Sequence, residues 1–143
     1  MKRKCILGKI RTISLQSDKF LSKRIKEENL PILRNHIPLF YILPYNGEKI
    51  LFNELAKTWD ISKSSLSDIV NKYESMKLVT KCSCIDDKRS VYVGLTKDAL
   101  YIKDKLEQIE DEFLDELLKN FTKQEREDYE VYIKKSLSNI IDK

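Results

Sequence analysis

Apolar residues recur every three or four positions along most of the chain and every second position in one short stretch. The first pattern predicts a helix from Lys4 to Glu28, with Leu7, Ile10, Ile13, Phe20, Leu21 and Ile25 on one stripe and Lys and Arg between them. Asn29-Leu30-Pro31 ends it. Pro38 suits the first turn of a second helix, which carries Leu39, Phe40, Ile42 and Leu43 and stops at Pro44. Tyr45-Asn46-Gly47 reads as a turn and Ile50-Leu51 as a very short strand. A third helix, capped by Asn53 or a neighbour, runs to about Trp59, and Asp60-Ile61 turns the chain into a fourth with Ser62 as its N-cap. Leu66, Ile69, Val70 and Tyr73 form the buried side of this fourth helix. Leu78–Cys84 and Ser90–Leu95 alternate as strands, joined by residues 85–89. Thr96 caps a long fifth helix bearing Leu100, Ile102, Leu106, Ile109, Phe113, Leu117 and Leu118. Thr122-Lys123-Gln124-Glu125 fits a capping box and opens a last helix that keeps Tyr129, Tyr132, Ile133, Leu137, Ile140 and Ile141 in phase.

The predicted fold class is mainly α with a small β wing. Helix, turn, polar second helix and a hairpin with Arg at its tip are the layout of a winged helix-turn-helix. Such a unit sets one helix in the major groove of DNA and an Arg-bearing loop beside it. At 143 residues the chain is expected to be one domain, with residues 31–99 as the winged unit and 1–30 and 100–143 as dimerisation helices. The end stripes need partners, each other and a second copy. A two-fold homodimer would present two reading helices about one DNA turn apart.

Charge sharpens this only slightly. Residues 1–50 carry 11 basic and 4 acidic side chains, residues 51–100 carry 8 and 7, and residues 101–143 carry 8 and 12. A basic front and an acidic tail suit contact within one chain or across a dimer, and the net +4 is not by itself a nucleic-acid signature. Three Gly and three Pro leave little room for long loops. No apolar run approaches the roughly 20 residues that span a bilayer, and Cys5-Ile6-Leu7 is too short for a signal-peptide core. The expected location is the cytoplasm, with no membrane partner. Three Cys predict no disulfide framework.

The order of elements resembles the MarR family of bacterial transcription regulators over essentially the whole chain. Asn53-Glu54-Leu55-Ala56, Ile61-Ser62-Lys63-Ser64-Ser65-Leu66 and Leu78-Val79 carry the resemblance. Above all it rests on Asp87-x-Arg89 followed by Leu95-Thr96. The resemblance implies a dimer with interlocking terminal helices, two winged units on a pseudo-palindromic operator, and release of DNA by a small molecule, oxidant or metal. Asp60 and Lys77 stand where the family usually has Gly in two turns, Ala99 replaces a frequent Gly, Leu51 replaces a capping Thr, and Asp68 sits where the reading helix is often basic.

Ser62, Ser64 and Ser65 are suited to donate to phosphates or base edges at a helix N-terminus whose dipole attracts phosphate. Ser67 and Asn71 project further along, Asn71 with the chemistry for a bidentate contact to adenine. Lys63 and Lys72 neutralise phosphates, which positions without specifying. Asp68 either accepts from cytosine N4 or, the favoured reading, pairs with Lys72 at i+4. Arg89 at the hairpin tip fits the narrow, negative minor groove of A/T-rich DNA, with Asp87 holding the turn and Lys88 on a phosphate. The bland alternatives are a solvated polar face and a surface Asp87–Arg89 ion pair.

Cys82 and Cys84 share one face of a strand, where packing is favoured over oxidant sensing, and two Cys are too few for a zinc site. Cys5, with Lys2, Arg3 and Lys4 beside it, is the other redox candidate. His36, Phe40, Tyr41 and Tyr45 fall near the junction where the family holds its effector, though core packing is the commoner role for such aromatics. No phosphate loop, hydrolase elbow or catalytic carboxylate pair is visible, so no catalytic residue, metal or cofactor is expected. The favoured function is a dimeric, sequence-specific binder of double-stranded DNA, a repressor rather than an activator. The alternatives are a winged-helix protein-docking module or a thiol-based redox sensor.

Overall fold

The computed structural model describes residues 4–83 and 89–141. Among the described residues six α-helices and three strands follow in the order α1 (Lys4–Glu27), α2 (Ile37–Ile42), β1 (Ile50–Leu51), α3 (Phe52–Trp59), α4 (Lys63–Ser75), β2 (Val79–Ser83), β3 (Val91–Leu95), α5 (Leu100–Leu117) and α6 (Lys123–Ile141), with short 3-10 turns at Arg34–His36 and Lys97–Ala99. The fold class read from the sequence is the one observed. The chain forms two compact units, Met1–Ile109 and Glu110–Lys143.

In the first unit the three strands pair antiparallel in the order β1-β3-β2. Leu39, Phe40, Leu43, Leu55, Leu66, Val70, Tyr73, Val93, Ile102 and Leu106 are fully buried at its centre. The period of 3.6 on α3 and α4 and of two on β3 delivers these residues to one core, which holds α4 against the sheet. Gly94 is needed on the central strand, because a Cβ there would sit 2.9 Å from Lys49 Cγ and 3.3 Å from the Gly47 carbonyl oxygen.

Among the described residues of the first unit, three helices end in left-handed residues that are not glycine: Asn29 (φ 53°), Asp60 (φ 60°) and Lys77 (φ 63°). Each ending is closed by paired backbone bonds. At Lys77 its own N–H donates to Glu74 O and the Leu78 N–H donates to Tyr73 O, both at 2.9 Å. Thr96 Oγ1 adds a bond to the Lys77 carbonyl at 2.8 Å. The surroundings thus hold a lysine in a conformation it adopts reluctantly. This corrects the expected role of Thr96: its hydroxyl makes no helix cap but ties the end of β3 to the turn after α4. Asn53 is not a cap either, since α3 begins at Phe52 with Leu51 as an N-cap that offers no side-chain bond.

Lys103 is only 6% exposed. Its ammonium donates to Leu43 O at 2.6 Å and Tyr41 O at 3.4 Å and lies 4.5 Å from the centre of the Tyr45 ring. It thereby closes the C-terminal end of α2, and burial pushes its pKa down, with Glu107 opposing.

In the second unit the capping box forms as expected. Thr122 N–H donates to Glu125 Oε1 at 2.9 Å, and Glu125 N–H donates to Thr122 Oγ1 at 3.1 Å. Arg126 reaches Leu118 O and Asp115, and Phe121 stacks edge-on against Tyr129. No residue of α6 is buried. Among the described residues, no helix is long and apolar enough to cross a membrane.

Candidate nucleic-acid interface

Ser62 takes the N-cap of α4 with extended backbone (φ −67°, ψ 151°), and its Oγ accepts the Ser65 N–H at 3.0 Å. The Ser62 hydroxyl then donates to Ser65 Oγ at 2.9 Å. Two of the three expected hydroxyls are therefore engaged with each other, which starts the helix on a defined residue. Ser64, Ser67, Asp68 and Asn71 follow on the exposed side, opposite the buried Leu66, Val70 and Tyr73.

An open cavity of about 250 Å³ is lined by Lys63, Ser67, Val70 and Asn71 of α4, Phe52 of α3, Lys81 of β2 and Val91 of β3. A neighbouring cavity of about 210 Å³ is lined by Leu51, Phe52, Asn53, Arg89, Ser90 and Val91. Phe52 and Val91 border both, so Arg89 and the polar face of α4 flank one continuous surface. Arg89 is exposed. Asp87, Lys88 and Cys84 lie outside the described residues.

Lys81 went unnoticed in the sequence. Its ammonium donates to Asn71 Oδ1 at 2.6 Å and pairs with Glu74 at 3.5 Å. The signal was available: Lys81 stands two residues after the buried Val79, so the strand alternation turns it toward α4. Asn71, expected to offer both ends of its amide, has its oxygen engaged.

Lys72 turns away from this face. Its ammonium lies 5.5 Å from the centre of the Tyr73 ring, and among the described residues the expected Asp68–Lys72 pair is not formed. Tyr73 is the tether of α4. Its hydroxyl accepts the Leu33 N–H at 3.3 Å and lies 2.7 Å from His36 Nδ1, and its ring meets Phe40 and His36 edge-on, each at 5.4 Å. Of the proposed effector residues, Phe40 is thus in the core and His36 bonds to Tyr73, while Tyr41 and Tyr45 are partly exposed. Burial raises the Tyr73 pKa, opposed by the Leu33 N–H.

Burial, with help from the Lys72 ammonium, holds His36 below its ordinary pKa of 6.5. Between the folded and unfolded values the unfolded chain binds more protons, so stability is full above about pH 6.5 and declines as pH falls through the lowered folded pKa. Denaturant titrations should show this decline in the wild type, and His36→Asn should lose it. Equal acid slopes in the two proteins would overturn the assignment.

Residues 31–90 match the MarR family. Over that segment the chain is similar to the MarR family. Escherichia coli MarR in its apo form superposes with a TM-score of 0.73 at 23% identity, covering 92% of this chain and 96% of that one. Staphylococcus aureus MepR in its DNA-binding conformation gives 0.76 at 20% identity, covering 98% and 99%. The S. aureus MepR–DNA complex gives 0.72 at 20%, covering 92% and 95%. At these identities the likeness is one of fold: a MarR-type winged helix between long terminal helices.

The thiols depart from expectation. Cys82 is exposed rather than packed, because β2 buries only Val79, and Lys49 Nζ lies 3.4 Å from its Sγ. Cys5 is exposed as well. Among the described residues no group of three or more His, Cys, Asp or Glu side chains is placed to hold a metal.

Proposed function

We propose that the protein is a dimeric, sequence-specific DNA-binding transcription regulator of the cytoplasm, acting as a repressor on a pseudo-palindromic operator and released by a small-molecule effector. The observation that carries this reading is the continuous surface from Lys63, Ser67 and Asn71 on α4 to Arg89 on the wing. A helix that exposes hydroxyl, amide and ammonium groups beside a guanidinium suits base edges in the major groove and phosphates or the minor groove alongside. Ser62, Ser64, Ser65 and Asp68 complete the proposed reading face, Lys72 stands at its flank for a phosphate, and Asp87 and Lys88 complete the proposed wing. The fold is shared with a protein solved on DNA. The absence of an enzymatic role is part of this reading.

The dimer is supported by unpartnered apolar faces. Leu7 and Ile10 on α1 are 72% and 59% exposed, and Ile133 and Ile140 on α6 are 51% and 74% exposed. Fully burying an exposed Leu or Ile contributes about 1.5–3 kcal/mol, and each of these would gain the part that its exposed fraction represents. Residues 110–134 also form an open groove of about 730 Å³ lined by Leu114, Leu118, Tyr129 and Ile133, which suits a second copy.

The test is a salt series of binding to random-sequence duplex, comparing wild type with Arg89→Ala. The logarithm of affinity should fall linearly with the logarithm of salt, and the variant should bind more weakly with a slope smaller by about one. No salt-dependent binding at low salt would sink the regulator reading.

A further inference from the structure

We propose that Lys81, held by Glu74, is a positioning residue that sets which base Asn71 reads, turning its amide toward an acceptor edge such as guanine rather than toward adenine. This rests on the DNA-binding reading above and goes beyond it to the specificity of one contact.

A lysine ammonium carries only donors. Its 2.6 Å contact with Asn71 therefore fixes the amide orientation, since only Oδ1 accepts. Glu74 lies one helical turn beyond Asn71 on α4 and holds the same ammonium at 3.5 Å. Lys81 is thus anchored at two points, and its side chain is only one-third exposed. The strand supplies the register: Lys81 pairs with Val93 on β3, and Val79, on the same face, is buried. The lysine emerges where the core ends and the polar face of α4 begins.

Reading adenine requires both ends of the amide. Oδ1 accepts from the N6 amino group while Nδ2 donates to N7. Here one lone pair of Oδ1 serves Lys81, and an adenine amino group approaching the other would stand beside the ammonium, donor next to donor and against its positive charge. What Asn71 presents is its NH₂ group, with a positive charge close by. The major-groove edge of guanine, with N7 and O6 both acceptors, matches that presentation. Ser67 lies one turn before Asn71 and lines the same cavity, and its hydroxyl is compatible with either base.

The experiment is selection of bound duplexes from a random pool with wild type, Lys81→Met, Lys81→Arg and Asn71→Ala. Each selected site is then measured with guanine and with adenine at the position that flattens in Asn71→Ala. Wild type is expected to prefer guanine there by about tenfold. Lys81→Met frees Oδ1 and should abolish or reverse that preference. Lys81→Arg, which also carries only donors, should retain it. Glu74→Gln loosens the ammonium without removing it and should shift the preference the same way by less, which serves as the second variant should Lys81→Met not fold. A wild-type preference for adenine at that position, or an unchanged guanine preference in both Lys81→Met and Glu74→Gln, would overturn the proposal. So would random-pool binding that is salt-dependent but enriches no base, which leaves DNA binding standing, whereas no salt-dependent binding removes both readings.

Discussion

Replacing Ile133 and Leu137 together by glutamate is expected to leave a folded monomer that binds a selected operator about 100-fold more weakly. Both side chains are about half exposed, at 51% and 48%, so the substitutions remove little from the core of a single chain. Away from a core, surface changes usually alter stability by less than about 0.5 kcal/mol. They stand four residues apart and share one face of α6 with Tyr129 and Ile140, so a covering partner meets both at once. Four introduced carboxylates, two per copy, would have to be desolvated at a two-fold seam, a cost that apolar contacts do not offset. The affinity loss follows from geometry. With two winged units joined, binding of the second half-site is intramolecular, and severing the link costs about 10²–10⁴ in avidity. Sedimentation and anisotropy titrations on one operator decide the matter. A variant that remains dimeric would place the seam elsewhere.

Tyr73→Ala is expected to destabilise the protein by about 3–5 kcal/mol, the range for removing a buried aromatic. A domain of this size has only about 5–15 kcal/mol of stability in all, so the loss is severe. Tyr73 is wholly buried and joins α4 to α2 through Phe40 and to the segment before it through His36 and the Leu33 N–H. Tyr73→Phe keeps the ring and deletes only the hydroxyl. It leaves the Leu33 N–H and His36 Nδ1 without that partner and should cost about 1–3 kcal/mol. Urea unfolding with an unchanged slope would assign both losses to the folded state. A Tyr73→Phe protein as stable as the wild type would mean that the ring alone anchors α4. The functional consequence is orientation: α4 offers a polar face outward only because Tyr73, Leu66 and Val70 are pinned inward.

Helix and strand assignments were largely legible because their causes are local. The apolar spacing on α3 and α4, the Ser62 cap, the Thr122–Glu125 box and the left-handed turn at Asp60 depend on residues a few positions apart. Thr96 was misread because the same hydroxyl that caps helices also reaches any nearby carbonyl, and the one it finds, on Lys77, is 19 residues away in sequence. Lys103 gave no sign in the sequence that it would be buried. It lies inward because the α2 carbonyls it serves, 60 and 62 residues earlier, are brought to it by the fold.

The candidate interface divides along the same line. From residue order alone came the winged-helix class, the identity of the reading helix and the polar residues along its outer face, since periodicity and caps act within a turn or two of chain. Which groups those residues have left to offer was decided only in three dimensions. Ser62 and Ser65 satisfy each other, Lys72 lies over Tyr73, and Lys81 arrives from β2 to occupy the Asn71 oxygen. Each is a short-range force between side chains, and where the contact spans ten residues, as from Lys81 to Asn71, only the packing of strand against helix brings the partners within its reach.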